Sequence, residues 1–167
     1  MFWQAENTLF CINASALASY SEPLFNAFGL PRPPGLKEGS EEDPILWPDL
    51  TAAEVASFLK WMTHIEWTPL PPNEATLVDI LKVSHRWMVE QGVAYAIHHL
   101  EQLGLPAPHR LELARRFQIV TWIRPAVQSL LDIHQPLSSF SSETDVEYMG
   151  PKVYTIITRA RELILRE

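Results

Sequence analysis

Six histidines are the most obvious candidates for chemistry in this chain, because imidazoles could hold a metal ion. They are His64, His85, His98, His99, His109 and His134. No two of them stand four residues apart, the spacing that places two ligands on one helical face. Adjacent His98 and His99 would point about 100° apart on a helix. We therefore expect helix histidines and no metal site.

Serine and cysteine nucleophiles are equally weak candidates. Ser15, Ser19 and Ser21 lack the Gly-x-Ser-x-Gly turn of a hydrolase, and Ser21 is better explained as a small residue that permits close packing or bonds a backbone carbonyl. Cys11, the one cysteine, has no basic sequence neighbour to lower its pKa. The sequence thus predicts no enzyme, no catalytic residue and no cofactor. The less favoured alternative is a small enzyme or ligand-binding protein with a pocket between two halves.

Composition narrows the class of partner. The chain has 167 residues, 47% of them hydrophobic, which is enough for a real core. Its net charge of −7 opposes binding to nucleic acid and to anionic membranes. No apolar run reaches the roughly 18 residues needed to cross a bilayer, and the start lacks the features of a signal peptide. A single cysteine makes a reducing compartment the default, so we expect an intracellular protein, cytoplasmic or nuclear.

The elements that would position any site begin with two strands and a helix. Residues 2–5 and 8–12 are predicted strands around a Glu6-Asn7 turn. A helix is predicted from Ser15 to about Phe28, because apolar and small residues recur there at spacings of three and four: Leu17, Tyr20, Ser21, Leu24 and Phe28. Strands feeding directly into a helix are typical of a mixed α+β domain.

A loop, a short strand and capped helices follow. Residues 31–44 combine prolines, glycines and acids, which predicts a solvated loop before a strand at 45–47. Thr51 and Glu54 predict a capping box at the start of a helix that stops near residue 64. Asn73 is expected to cap the next helix, which carries Leu77, Ile80, Leu81, Ser84 and Met88 on one face.

The prolines at 106 and 108 mark the predicted internal boundary. Residues 1–105 hold five basic and 13 acidic side chains, whereas residues 106–167 hold eight and seven. Amphipathic runs after the boundary predict antiparallel helices, the last with arginines near its C-terminal end, where the helix dipole favours them. We expect a domain at 1–105 and a helical extension at 106–167.

The strand-to-helix segment resembles the signature of the BTB/POZ family at Phe10, Asn13, Leu17, Ser21, Leu24 and Phe28. The family usually has His where this chain has Asn13 and an aromatic residue where it has Leu24. More narrowly, several short blocks resemble BTB-containing proteins of mushroom-forming fungi: residues 21–33, 42–46, 85–88, 113–117, 121–126 and 159–162. The resemblance implies a mostly helical α+β fold with short strands, followed by a helical extension.

The resemblance also implies a function: a non-enzymatic protein–protein interaction module that associates with itself as a homodimer or bridges a partner protein to other machinery. Six tryptophans support this expectation, since a small domain has difficulty burying so many and tryptophan is enriched at interface hot spots. Trp87 and Trp122 are expected in the core. The predicted interface residues are Phe2, Trp3, Phe10, Leu17, Tyr20, Leu24 and Trp67.

A narrower alternative is a substrate adaptor of a cullin-type ubiquitin ligase. Such adaptors carry a hydrophobic-x-Glu motif after the third helix, where this chain has a histidine in the hydrophobic position at His64-Ile65-Glu66. Met88-Val89-Glu90 fits the motif but falls near a later helix. Asn13 is expected to point inward and to make structural hydrogen bonds, not to contact a ligand.

Overall fold

A computed structural model of the protein describes residues 1–30, 35, 37–63, 73–136 and 142–166, which form two compact units, Met1–Leu103 and Gly104–Glu167. The described residues contain nine helices and three short strands, which confirms the mostly helical α+β class. The elements of the first unit are β1 (Phe2–Ala5), β2 (Thr8–Cys11), α1 (Ala14–Ala18), α2 (Glu22–Gly29), β3 (Ile45–Leu46), α3 (Ala52–Met62), α4 (Glu74–Arg86) and α5 (Glu90–Gln102).

The three strands form one sheet in the order β2-β1-β3. β1 and β2 pair as an antiparallel hairpin with Trp3 opposite Phe10, and β3 runs parallel to β1 with Ile45 beside Trp3. Glu6 turns the hairpin with a φ of 52°, in the left-handed region that two-residue hairpin loops need. The predicted hairpin around Glu6 and Asn7 is thereby confirmed.

The predicted single helix from Ser15 to Phe28 is wrong, because the chain breaks it into α1 and α2. Ser21 adopts an extended conformation (φ −143°, ψ 114°), and its hydroxyl accepts a hydrogen bond from the Leu24 amide. Pro23 stands in the first turn of α2, where proline favours a helix start. The serine cap and the proline start a new helix at this point, although the apolar spacing by itself would predict one uninterrupted helix.

Capping residues set the starts of α3 and α4 as predicted. The Glu54 amide donates to Thr51 Oγ1 at 3.2 Å, and the Thr51 amide donates to Glu54 Oε2 at 2.9 Å, which completes the capping box. Asn73 Oδ1 accepts from the Thr76 amide at 2.7 Å. Met88, expected on the buried face of α4, instead lies beyond its end with a φ of 53° and is 65% exposed.

Both strands and helices contribute to the core of the first unit. Trp3 and Ala5 face it from β1, and α3 and the α4–α5 pair contribute further apolar side chains: Val55, Phe58, Val83 and Val89.

Helices α4 and α5 approach each other closely at a glycine. Gly92 of α5 lies so close to Ser84 of α4 that an added Cβ would stand 2.1 Å from the serine hydroxyl oxygen. A side chain at this glycine would force the two helices apart.

The second unit consists of four helices, α6 (Ala107–Arg116), α7 (Val120–Leu131), α8 (Glu143–Met149) and α9 (Pro151–Ile164). Its core includes Leu111, Leu130 and Ile157. Arg161 was expected only as a charge near a helix end. It is in fact 5% exposed and donates to the carbonyls of Leu130, at 2.8 Å, and Gln135.

Among the helices of the described residues, none combines the length and the apolar content that a membrane span requires.

Candidate functional site

One face of the sheet carries apolar side chains away from the core. Side chains alternate along a strand, and paired residues share a face. Since Trp3 and Ala5 point into the core, the opposite face carries the side chains of Phe2, Gln4, Leu9, Cys11 and Leu46, which we call the outer sheet face. Leu46 is 65% exposed and Leu9 40%, whereas Phe2 and Gln4 are half-buried. This face is the most apolar exposed part of the sheet.

The outer edge of β2 has backbone groups free for pairing. Met1 and Ile12 exchange hydrogen bonds of 3.1 and 2.8 Å. Because hydrogen-bonded pairs alternate along an antiparallel ladder, the next bonded pairs between β1 and β2 are Trp3–Phe10 and Ala5–Thr8. The amide and carbonyl groups of Leu9 and Cys11 therefore point away from β1. Within the described residues they have no hydrogen-bond partner. β2 also lacks the lysine or proline with which many edge strands block pairing.

An acidic loop borders β1 on the side away from β2. We use this name for residues 37–43, in which Glu38, Glu41, Glu42 and Asp43 are exposed beside one exposed lysine. The Phe2 amide donates to the Gly39 carbonyl at 2.9 Å, and the Gly39 amide donates to the Asp43 carbonyl at 2.7 Å. These bonds attach the backbone of the loop to β1.

A cluster of three tryptophans, Trp3, Trp47 and Trp87, supports the sheet from the core side. The ring centroid of Trp3 lies 4.3 Å from that of Trp47 and 4.9 Å from that of Trp87. The planes of Trp3 and Trp47 are perpendicular, the edge-to-face arrangement that aromatic pairs prefer. All three indole N–H groups are buried without a conventional acceptor in the described structure. The cluster gives the sheet a tightly packed base.

The predicted interface residues are dispersed by the fold. Trp3, Leu17 and Leu24 belong to the core with exposures of 1%, 1% and 7%, so they offer no surface to a partner. This placement revises the expected interface. Half-buried side chains remain at Phe2, Phe10 and Tyr20, with the Phe10 side chain on the core side of the sheet. Trp67 lies outside the described residues.

Two exposed leucines of the outer sheet face were not among the interface residues predicted from the sequence. Leu9 was assigned only to a half-buried strand, and Leu46 only to a short strand after the loop. The sequence did indicate that the side chains of Phe2 and Gln4 lie on one face of the strand and those of Trp3 and Ala5 on the other. Alternation alone, however, does not determine which of the two faces is exposed.

The other predicted polar positions also have defined places. Asn13 is exposed, not inward-facing, and caps α1 by accepting from the amides of Ser15 and Ala16 at 3.1 and 3.2 Å. Its role is structural, as expected.

Among the described residues no three His, Cys, Asp or Glu side chains are grouped in a way that could hold a metal ion. Of the two cullin-type motif candidates, Met88 and Glu90 are exposed and Val89 is buried, whereas residues 64–66 lie outside the described residues.

A second apolar surface lies along α2. Phe25 is 63% exposed and Leu30, just after the helix, 67% exposed. A groove of about 400 Å³ runs between the N-terminal residue and α1 and α2, and Phe25 and Phe28 line it. This surface lies within the helical segment in which contact residues were expected, although with different side chains.

Charged side chains between α3 and α4 have altered proton affinities. Burial acts to raise the pKa of the Glu54 carboxyl, but hydrogen bonds from Lys82, at 2.5 Å, and from Thr51 outweigh burial and leave the pKa lowered. Burial raises the pKa of Asp79; the bond from Ser57 Oγ at 2.9 Å opposes this shift, and the charge of Glu54 adds to it. Glu54 and Lys82 thus link α3 to α4 by an ion pair, whereas ionisation of Asp79 opposes stability.

Comparison with known proteins adds no assignment. No protein-family model and no curated protein matches this chain. The BTB/POZ resemblance stays a prediction from the sequence blocks.

Proposed function

We propose that the protein is a non-enzymatic interaction module of the BTB/POZ type, acting inside the cell, and that the outer sheet face with the free edge of β2 is its docking surface. The order of elements in the first unit supports this proposal. Two strands, a helical segment, a strand and further helices follow one another in the order that the resemblance implies, although the helical segment is divided into α1 and α2. A helical unit follows them.

The exposed apolar side chains of the outer sheet face carry the proposal. Single exposed leucines are common on protein surfaces and need no explanation. Here, however, Leu9 and Leu46 flank Gln4 in one row across three strands, with Phe2 and Cys11 in the next row. Exposed apolar side chains grouped on one face of a sheet are typical of interaction sites.

The energetics also favour docking at this place. Complete burial of a leucine side chain contributes about 1.5 to 3 kcal/mol, so covering the exposed parts of Leu9 and Leu46 would contribute roughly 2 to 3 kcal/mol together. The tryptophan cluster holds the sheet in place, which keeps the ordering cost of binding small. A standard interface of about 1,200 to 2,000 Å² in total would need surface around this face as well.

A charge placed on the outer sheet face tests the proposal. Leu46→Glu should leave the fold intact, because the Leu46 side chain is 65% exposed, but it should abolish docking. Val120→Glu is the matched control, since Val120 is 74% exposed and lies in the second unit. Circular dichroism checks the fold of both variants.

The measurement combines affinity capture from the source cells with sedimentation velocity at several protein concentrations. We expect proteins, or copies of this chain, that associate with the wild type and with Val120→Glu but not with Leu46→Glu. If Leu46→Glu retains every association of the wild type, the docking surface lies elsewhere. A wild type that is strictly monomeric and captures nothing would reject the interaction function itself.

A further inference from the structure

The chemistry of the outer sheet face also defines the kind of partner, an inference that rests on the proposed function. We infer that this face binds a basic amphipathic helix of another protein. Three observations support the inference: the dimensions of the face, the charge beside it, and the position of that charge relative to the free strand edge.

The dimensions of the face match one helix. Neighbouring strands are about 4.8 Å apart, so the three strands span roughly 10 Å between their outer axes, close to the 10 to 12 Å diameter of a helix. The four residues of β1 extend about 13 Å, the length of roughly nine helical residues. A helix of two to three turns would cover the face and complete the second layer that a sheet with apolar residues on both faces requires.

The charge of the first unit selects a basic helix. Residues 1–103 contain five basic and 13 acidic side chains, a net charge of −8. The acidic loop is hydrogen-bonded to β1 through Gly39 and carries four exposed carboxylates, which add to the negative potential beside the sheet. Lysine or arginine beside the apolar stripe of a helix would be attracted to them. A second copy of the same face would instead be repelled.

The position of the acidic loop favours the face over the strand edge. The loop lies on the side of β1 opposite to β2, whereas the free backbone groups belong to Leu9 and Cys11 of β2. A basic extended segment paired with β2 would therefore stand two strands away from the carboxylates. A partner that lies across the face covers both leucines and also reaches β1, to which the acidic loop is bonded.

Three designed 18-residue peptides would test the inference. The first is a leucine–lysine helix with one apolar stripe, the second has the same composition with the stripe scrambled, and the third replaces lysine by glutamate. Fluorescence anisotropy gives the Kd of each peptide at two salt concentrations. Cys11, the single cysteine, stands on the face, so its rate of reaction with a maleimide reports directly whether the face is covered.

We expect the basic helix to bind at least about tenfold more tightly than the other two peptides, to weaken with salt, and to slow Cys11 labelling. Leu46→Gln and the double variant Glu38→Gln/Glu41→Gln should each weaken it several-fold. The matched controls Val120→Gln and Glu147→Gln/Glu162→Gln, with exposed side chains in the second unit, should not.

Several results would overturn the inference. Equal affinity for the basic and acidic helices removes its charge argument, and unchanged Cys11 labelling in the bound state places the peptide elsewhere. Concentration-dependent protection of Cys11 without any peptide assigns the face to a second copy. If no peptide binds while Leu46→Glu still loses the proteins captured by the wild type, this inference fails and the proposed function stands.

Discussion

Ser21 connects two elements that are far apart in the chain, and its removal should destabilise the first unit more than any other hydroxyl loss near it. Its side chain is 2% exposed, accepts from the Leu24 amide at 3.3 Å, and donates to the Trp87 carbonyl at 2.6 Å. It therefore starts α2 and also attaches that helix to the residue that ends α4.

The expected cost of Ser21→Ala follows from these two bonds. Loss of a serine N-cap costs about 1 kcal/mol, within a range of roughly 0.5 to 2. Removing the donor to the part-buried Trp87 carbonyl costs about 1 to 3 kcal/mol more. We expect the free energy of unfolding of the first unit to fall by roughly 2 to 4 kcal/mol in total.

Ser19→Ala is the matched control. The Ser19 hydroxyl also donates to a carbonyl, that of Ala16 at 2.7 Å, but it is exposed and its bond is local. Water can replace that bond, so the loss should stay within about 0.5 kcal/mol. The two substitutions thus remove the same atom in different surroundings.

Urea unfolding followed by tryptophan fluorescence measures the difference, because five of the six tryptophans lie in residues 1–103. The midpoint of Ser21→Ala should move to lower urea with an unchanged slope. Equal midpoints for Ser21→Ala and Ser19→Ala would refute the reasoning, since they would mean that the bond to Trp87 contributes no stability.

Three further predictions concern the helix contacts. Gly92→Ala should cost about 1 to 3 kcal/mol, because its Cβ would stand 2.1 Å from the Ser84 hydroxyl, and Ser84→Gly should recover part of the lost melting temperature. Asp79→Asn should gain stability relative to the wild type as the pH rises from about 4 to about 7. Burial raises the pKa of Asp79 above 3.8, so its ionisation in this window destabilises the wild-type fold. Urea titrations at several pH values measure the difference in the free energy of unfolding, and a difference that is independent of pH would contradict the prediction. Arg161→Ala should lower the free energy of unfolding of the second unit by about 2 to 4 kcal/mol, because it removes the donors to Leu130 and Gln135, and chemical unfolding followed by circular dichroism would measure the loss.

The elements that the sequence predicts correctly are those with local signals. The capping box of Thr51 and Glu54 and the cap at Asn73 involve groups within three residues of each other, so neighbouring side chains alone determine them. The helix break at Ser21 was missed, although serine and proline signals were present. Apolar spacing that continued through the break obscured them.

The candidate site was harder to predict, as Trp3 and Leu46 illustrate. Trp3 was expected at an interface because its strand was predicted to be an edge strand. That prediction is wrong: β1 is the central strand, and Trp3 packs against tryptophans that are 44 and 84 residues away in sequence. Leu46 gained its significance only through pairing with Gln4 of β1. Neither contact can be deduced from neighbouring residues.

By itself, the sequence determined the mostly helical α+β class, the hairpin and the principal caps, because each depends on side-chain periodicity or on hydrogen bonds between near neighbours. Only the tertiary structure decided which face of β1 is buried. Alternation defines two faces that are equivalent until distant residues, here Trp47 and Trp87, pack against one of them. That packing put Trp3 inside and left Leu9 and Leu46 on the surface that we propose for docking.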